Sequence, residues 1–166
     1  MLKKKTTYFL LAGIFVLLIA GIFYVALHHK IVDVSEKQPY RAIIHKKLQT
    51  VNRALLTESS MKTFGAFEEI RFEINDYSEM DTANLSYSDI PVGSVLEFQK
   101  AVEFTNAVSG LRSVYLIGTL STKPNASVLY RWGAFKSICL SEPCDYWEHR
   151  KAPWQVEINA KRYFED

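Results

Sequence analysis

The sequence predicts a single N-terminal transmembrane helix followed by an exported, mainly β domain of the α+β class. Residues 8–27 form an uncharged apolar run, later stretches alternate apolar and polar residues, and turn-forming residues separate those stretches. We therefore expect five antiparallel strands in a small barrel or tight sandwich, OB-like or SH3-like, preceded by one amphipathic helix.

The apolar run from residue 8 to residue 27 has the length of a bilayer span. Twenty residues at about 1.5 Å each make a helix of about 30 Å, the thickness of the hydrocarbon core. The run has no A-x-A cleavage pattern, because the bulky Tyr24 stands two positions before Ala26. The sequence therefore predicts an uncleaved signal-anchor in contact with the lipid bilayer, with Tyr8 and Tyr24 at its interfaces.

The flanking charges predict the orientation of this span. Lys3, Lys4 and Lys5 precede it, whereas the segment after it mixes basic and acidic residues. Since cationic flanks stay in the cytoplasm, residues 1–7 are predicted to be a cytoplasmic tail of an inner (plasma) membrane protein. The rest of the chain would then be periplasmic or extracellular. Small residues spaced by eight in the span are compatible with a weak homodimer through the helix, although the GxxxG spacing is absent.

Two segments connect the span to the β-rich domain. Residues 28–38 are polar and are predicted to be a tether, and residues 39–57 are predicted to be the amphipathic helix. The helix prediction depends on one stripe of apolar residues spaced by three or four positions, namely Tyr40, Ile44, Leu48, Val51 and Leu55. The β-branched residues of the same segment favour the alternative that it is the first strand of the domain.

The β-rich domain is predicted to occupy residues 58–166. Strand patterns lie at 67–74, 94–104, 111–120, 128–132 and 154–160. Residues 75–89 contain few large aliphatic side chains and many turn formers, which predicts a long exposed loop. Because no helix-length pattern separates the strands, we expect antiparallel rather than parallel pairing.

The two cysteines, Cys139 and Cys144, both fall in the exported part, where an oxidising environment favours a disulfide. A metal-binding alternative exists, since His149 follows Cys144 by five positions. That alternative lacks a fourth ligand and the usual spacing of zinc ligands. The sequence thus predicts a disulfide between Cys139 and Cys144, no metal site and no cofactor.

The charge of the exported part excludes one class of partner. Its seventeen Lys and Arg residues nearly balance eighteen Asp and Glu residues. A nucleic-acid-binding domain needs a basic surface, so no nucleic-acid partner is expected. The charge is distributed unevenly, because residues 28–57 are basic whereas residues 58–100 are acidic.

The segment after the cysteines supplies a candidate recognition surface, where aromatic and charged residues alternate as they do in binding surfaces. Its members are Tyr146, Trp147, His149, Arg150 and Trp154. In the alternative interpretation, Trp147 and Trp154 only cap the open end of the barrel. We find no catalytic signature such as a nucleophile elbow or a phosphate-binding loop, so no catalytic residue is assigned.

These observations lead to a functional hypothesis. The chain is predicted to be a single-pass, membrane-anchored protein whose β-domain binds another, unidentified envelope protein or component. It would act as a structural subunit or as an immunity-type inhibitor of a toxin. The alternative from another class is an envelope hydrolase with an unrecognised site around Glu148 and His149.

Overall fold

A computed structural model describes residues 2–59, 61, 67, 70–76, 86–137, 145–156 and 163–164 of the chain. Within helix α1, which spans Leu2–Ala26, side chains are described at Phe9 and at residues 13–24. The strands are β1 Lys30–Asp33, β2 Lys47–Gln49, β3 Ala54–Glu58, β4 Phe72–Asp76, β5 Tyr87–Ile90, β6 Val95–Thr105, β7 Arg112–Leu120, β8 Lys123–Lys136, β9 Tyr146–His149 and β10 Tyr163–Phe164. A 3₁₀ turn covers Tyr40–Ala42.

The ten strands belong to one mixed sheet with the main order β1-β6-β7-β8-β4-β3-β5. Its centre is the antiparallel meander of the three long strands β6, β7 and β8. The short strand β2 also pairs with β6, and β9 pairs with both β8 and β10. Strands β4 and β8 are parallel, and this pairing joins the β3–β4–β5 group to the meander.

Apolar side chains are buried on both faces of the central strands, because alternate residues of a strand point to opposite faces. The larger core lies on one face and includes Phe98, Leu116, Tyr130 and Trp132. The smaller core lies on the other face, where Met61, Phe67 and Ile70 are clustered with alternate residues of β6, β7 and β8. A sheet covered on both faces explains why β7 is almost continuously apolar.

The predicted five-stranded barrel or sandwich is wrong, because the structure has ten strands in one mixed sheet. The predicted strands at 94–104 and 111–120 coincide with β6 and β7, and the one at 128–132 lies within the longer β8. Six of the other strands have only three to five residues, which is too short for a clear alternation, and the sequence interpretation missed most of them. Parallel pairing was excluded for lack of crossover helices, but here strands β5, β6 and β7 themselves connect β4 to β8.

The predicted amphipathic helix over residues 39–57 is also wrong. The segment contains the 3₁₀ turn, β2 and the start of β3. His45 has a φ of +60°, which a right-handed helix cannot contain. Pairing of Lys47–Gln49 with β6 replaces the helical hydrogen bonds, so the spacing of four was coincidental. The structure also places β1 within the segment predicted as a tether.

The transmembrane prediction is corrected as well. No helix among the described residues is both long enough and apolar enough to cross a membrane. The signal-anchor at residues 8–27 and the inner-membrane and periplasmic localisation are therefore not supported, nor are the anchoring roles that depended on them (Tyr8, Tyr24, Lys3, Lys4 and Lys5). The predicted Cys139–Cys144 disulfide lies outside the described residues.

Candidate functional site

Strand β9 places Glu148 and His149, the residues of the hydrolase alternative, on opposite faces of the sheet. Trp147 and His149 point to one face of the sheet, whereas Tyr146 and Glu148 point to the other, because they alternate along one strand. The Glu148 carboxylate forms an ion pair with the Lys136 ammonium at 3.1 Å across the β8–β9 pair. The structure therefore does not bring Glu148 and His149 together.

His149 is a buried side chain with internal partners. Only 3 % of the residue is exposed. Its Nε2 atom and the Tyr40 hydroxyl are hydrogen-bonded at 3.1 Å, and its ring packs edge-on against Trp132 at 5.1 Å. A buried polar ring needs such partners, since burying a polar group without hydrogen bonds is costly. His149 thus connects β9 to the 3₁₀ turn.

A small cavity adjoins this hydrogen bond, and we call it the His149 cavity. It has a volume of about 50 Å³. It is lined by Val34, Lys37, Gln38, Pro39, Tyr40, Glu103, Val114, Trp147 and His149. Binding sites for small molecules usually have about 300–1,000 Å³. The His149 cavity has room for water but not for a substrate of ordinary size.

Arg112 holds the outer wall of this cavity in place. Its Nε atom donates a 2.8 Å hydrogen bond to Glu103, and both side chains are mostly buried. The guanidinium also lies over the rings of Phe135 at 4.5 Å and Trp147 at 5.2 Å. These contacts combine a charge-assisted hydrogen bond with cation–π stacking, and they fix Trp147 against the sheet.

The remaining predicted recognition residues, Tyr146, Arg150 and Trp154, do not line the His149 cavity. Trp154 belongs to the larger core, where its ring centroid is 5.2 Å from both Phe98 and Tyr130. Arg150 is exposed, and its carbonyl accepts a hydrogen bond from the Trp132 indole at 3.1 Å. The five predicted residues therefore do not form one exposed surface.

Two carboxyl groups of β4 have altered acidity. Burial raises the pKa of Glu73 above its ordinary value, and the charge of Arg131 opposes that rise. Burial also raises the pKa of Asp76, which is opposed by Arg150. The pKa of Tyr130 is raised by burial and by the neighbouring Asp76 charge. Glu73 and Asp76 lie on opposite faces of β4, so the two carboxyl groups do not form one catalytic pair.

A larger opening lies on the surface of the central strands, and we call it the β6–β7 groove. It has a volume of about 350 Å³. Its lining residues are Lys47, Val95, Glu97, Thr119, Leu120, Ser121 and Pro124. The sequence analysis missed this groove because its residues come from four strands and a turn and match no motif.

Two local backbone features lie close in sequence to the lining of the β6–β7 groove. The β6–β7 register shifts between Phe98 and Lys100, which marks a β-bulge. Gly118 lies opposite the bulge, and a Cβ atom there would stand 2.3 Å from the Glu97 carbonyl oxygen. The Ser121 hydroxyl accepts a 3.0 Å hydrogen bond from the Val95 amide and closes one end of the groove.

Two further findings bear on function. Across the described ranges, no group of three or more His, Cys, Asp or Glu residues is placed to hold a metal ion. Comparison with protein-family models, with curated proteins and with solved structures finds no match for this chain.

Proposed function

We propose that the domain is a non-catalytic binding module that holds a segment of another protein in the β6–β7 groove. The observation that carries this proposal is the contrast between the two openings. The groove has about 350 Å³, within the usual range for a binding site, whereas the His149 cavity has about 50 Å³. The module would serve as a structural subunit or as an immunity-type inhibitor.

The lining of the β6–β7 groove suits a peptide segment. The hydroxyls of Thr119 and Ser121 offer donors and acceptors for backbone amides and carbonyls. Val95 and Pro124 supply apolar contact at the same place, whereas the Leu120 side chain is buried in the larger core. Such a mixture of apolar surface and a few polar groups is typical of protein recognition sites.

The placement of the alternative catalytic pair supports binding over hydrolysis. Glu148 is paired with Lys136, and His149 is hydrogen-bonded to Tyr40 within the core. A general base has to reach the proton that it abstracts, and the two side chains point to opposite faces of the sheet. The placement of these two described side chains therefore supports the proposal of a binding module.

Photo-crosslinking in cells tests the proposal. A benzophenone amino acid at position 119, in place of Thr119, lies in the groove. The matched control places it at Ser88, an exposed residue of β5 at the other edge of the sheet. We expect position 119 to give one discrete protein adduct that is absent from the control.

The timing of the adduct separates the two roles. A structural subunit gives the adduct in growing cells at all times, whereas an inhibitor gives it only when the toxin is present. No discrete adduct at position 119 under either condition, or the same adduct from position 88, would rule out the groove as the binding site.

A further inference from the structure

Residues 34–47 form an excursion along the edge of β6, and we call it the cationic strap. At its start the Val34 amide donates a 2.9 Å hydrogen bond to the Ala101 carbonyl, and near its end the His45 amide donates one of 2.7 Å to Phe98. These two anchor points on β6 are three residues, about 10 Å, apart. Tyr40 fixes the middle of the strap in the core. The strap is thus a compact loop and not an extended chain.

The outer surface of the strap is strongly basic. Lys37, Arg41, Lys46 and Lys47 are all exposed, and Glu36 is its one acidic residue, so the strap has a formal charge of +3. Glu36 lies 3.8 Å from Arg41. Within the described part of the chain, the three lysines make no ion pair shorter than 4.0 Å.

The strap is continuous with the proposed binding site. Lys47 is both its last residue and a member of the lining of the β6–β7 groove. A segment that leaves the groove past Lys47 therefore meets the positive potential of Lys46 and the rest of the strap. Such a field attracts an oppositely charged partner and excludes a basic one.

We propose that the cationic strap docks an acidic segment of the partner protein, next to the part held in the groove. This inference rests on the proposed function and adds the charge class of the partner. The chain as a whole carries only +2, and a strap of +3 is small compared with the wide basic surfaces that bind nucleic acids. An acidic peptide matches the strap in both size and charge.

Binding of fluorescent oligo-glutamate tests this inference on the full chain, kept in a non-ionic detergent because α1 exposes apolar side chains. The test variant combines Lys37→Glu with Lys46→Glu. The matched control combines Lys30→Glu with Lys136→Glu, which makes the same change in net charge at exposed lysines outside the strap. Urea unfolding verifies that both variants are folded.

We expect oligo-glutamate to bind the unmodified chain, and the strap variant to bind at least about tenfold more weakly. The control should change by less than about threefold, and added salt should weaken the binding. Equal losses in both variants, or no binding to the unmodified chain, overturn the inference. Strap-dependent binding of mixed micelles that contain anionic lipid, or of single-stranded DNA, without oligo-glutamate binding also overturns it. The photo-crosslinking result at position 119 is independent of these outcomes, so either proposal can fail alone.

Discussion

At the scale of single residues, the hydrogen bond between Tyr40 and His149 is the contact that joins the cationic strap to β9. Both residues are at least 96 % buried, and the two atoms are 3.1 Å apart. Tyr40→Phe keeps the ring but leaves the histidine without this partner, which should cost about 1–3 kcal/mol of unfolding free energy. Urea unfolding measures the loss. Tyr87→Phe, at an exposed position of β5, is the control and should change stability by less than about 0.5 kcal/mol. Equal effects in the two variants would show that the bond contributes nothing.

The Arg112–Glu103 pair is a second contact whose contribution can be measured. Glu103 is the more buried partner, so removing Arg112 leaves a carboxylate in the sheet with less compensation. We expect Arg112→Met to destabilise the fold more than Glu103→Gln does. A double-mutant cycle should give a coupling energy of about 1–3 kcal/mol. A coupling near zero would mean that the stacking of Arg112 on Phe135 and Trp147, and not the ion pair, is its main contribution.

The raised pKa of Glu73 predicts that the stability of the fold depends on pH. Its pKa is raised in the folded protein by burial, with Arg131 opposing, so folding favours the protonated carboxyl. The folded state then binds more protons than the unfolded state as pH rises from the ordinary pKa through the raised one, and stability falls over that interval. Glu73→Gln should therefore raise the free energy of unfolding at pH 7 and lose this advantage below the ordinary pKa.

Urea unfolding at a series of pH values measures this difference. Glu58→Gln, at the exposed end of β3, is the control and should show no such pH-dependent gain. A Glu73→Gln variant that is less stable than the unmodified chain at pH 7 would show that the Arg131 contact outweighs the cost of burial.

At the scale of elements, the β-bulge of β6 and Gly118 of β7 depend on each other. A methyl group on Gly118 would stand 2.3 Å from the Glu97 carbonyl oxygen, and both are backbone positions that cannot rotate away. Gly118→Ala should lower the free energy of unfolding by at least about 1–3 kcal/mol. It should also deform the β6–β7 groove. Gly21→Ala is the control, since a Cβ atom there meets open space in α1. The thermal unfolding midpoint compares the two. Equal midpoints would show that the bulge adjusts freely.

The elements also show which parts of the fold a sequence can predict. The long strands β6 and β7 were predictable because nine or more residues make a readable pattern, whereas only residues 128–132 of β8 were predicted. Segment 39–57 was misread because three spacings of four coincided with a helical stripe, whereas hydrogen bonds to β6 decided its structure. His149 and Trp147 were predicted to belong to an exposed recognition surface, whereas in the structure both line the His149 cavity and His149 is buried. The β6–β7 groove takes its lining from four strands and a turn, which leave no common pattern in the sequence.

At the scale of the whole molecule, the edge strands are poor sites for adding a further strand. Among the described strands that pair with a single neighbour, β1, β2 and β5 have three or four residues and each contains a charged side chain, and β10 has only two residues. Short, charged edges protect a sheet against edge-to-edge pairing. The edge strands therefore support the proposal that a partner segment binds in the β6–β7 groove and not at an edge of the sheet.

The sheet is also unevenly connected, which predicts how it unfolds. The β3–β4–β5 group joins the meander through three parallel residue pairs between β4 and β8, whereas β7 pairs with each neighbour over most of its length. Parallel pairing is slightly weaker per residue, and sub-globular openings follow supersecondary units. We expect native-state hydrogen exchange to show the amides of β3, β4 and β5 opening at a lower free energy than those of β7. Uniform protection across the two groups would instead show that the shared core, which contains both Ile74 of β4 and Tyr130 of β8, makes the sheet one cooperative unit.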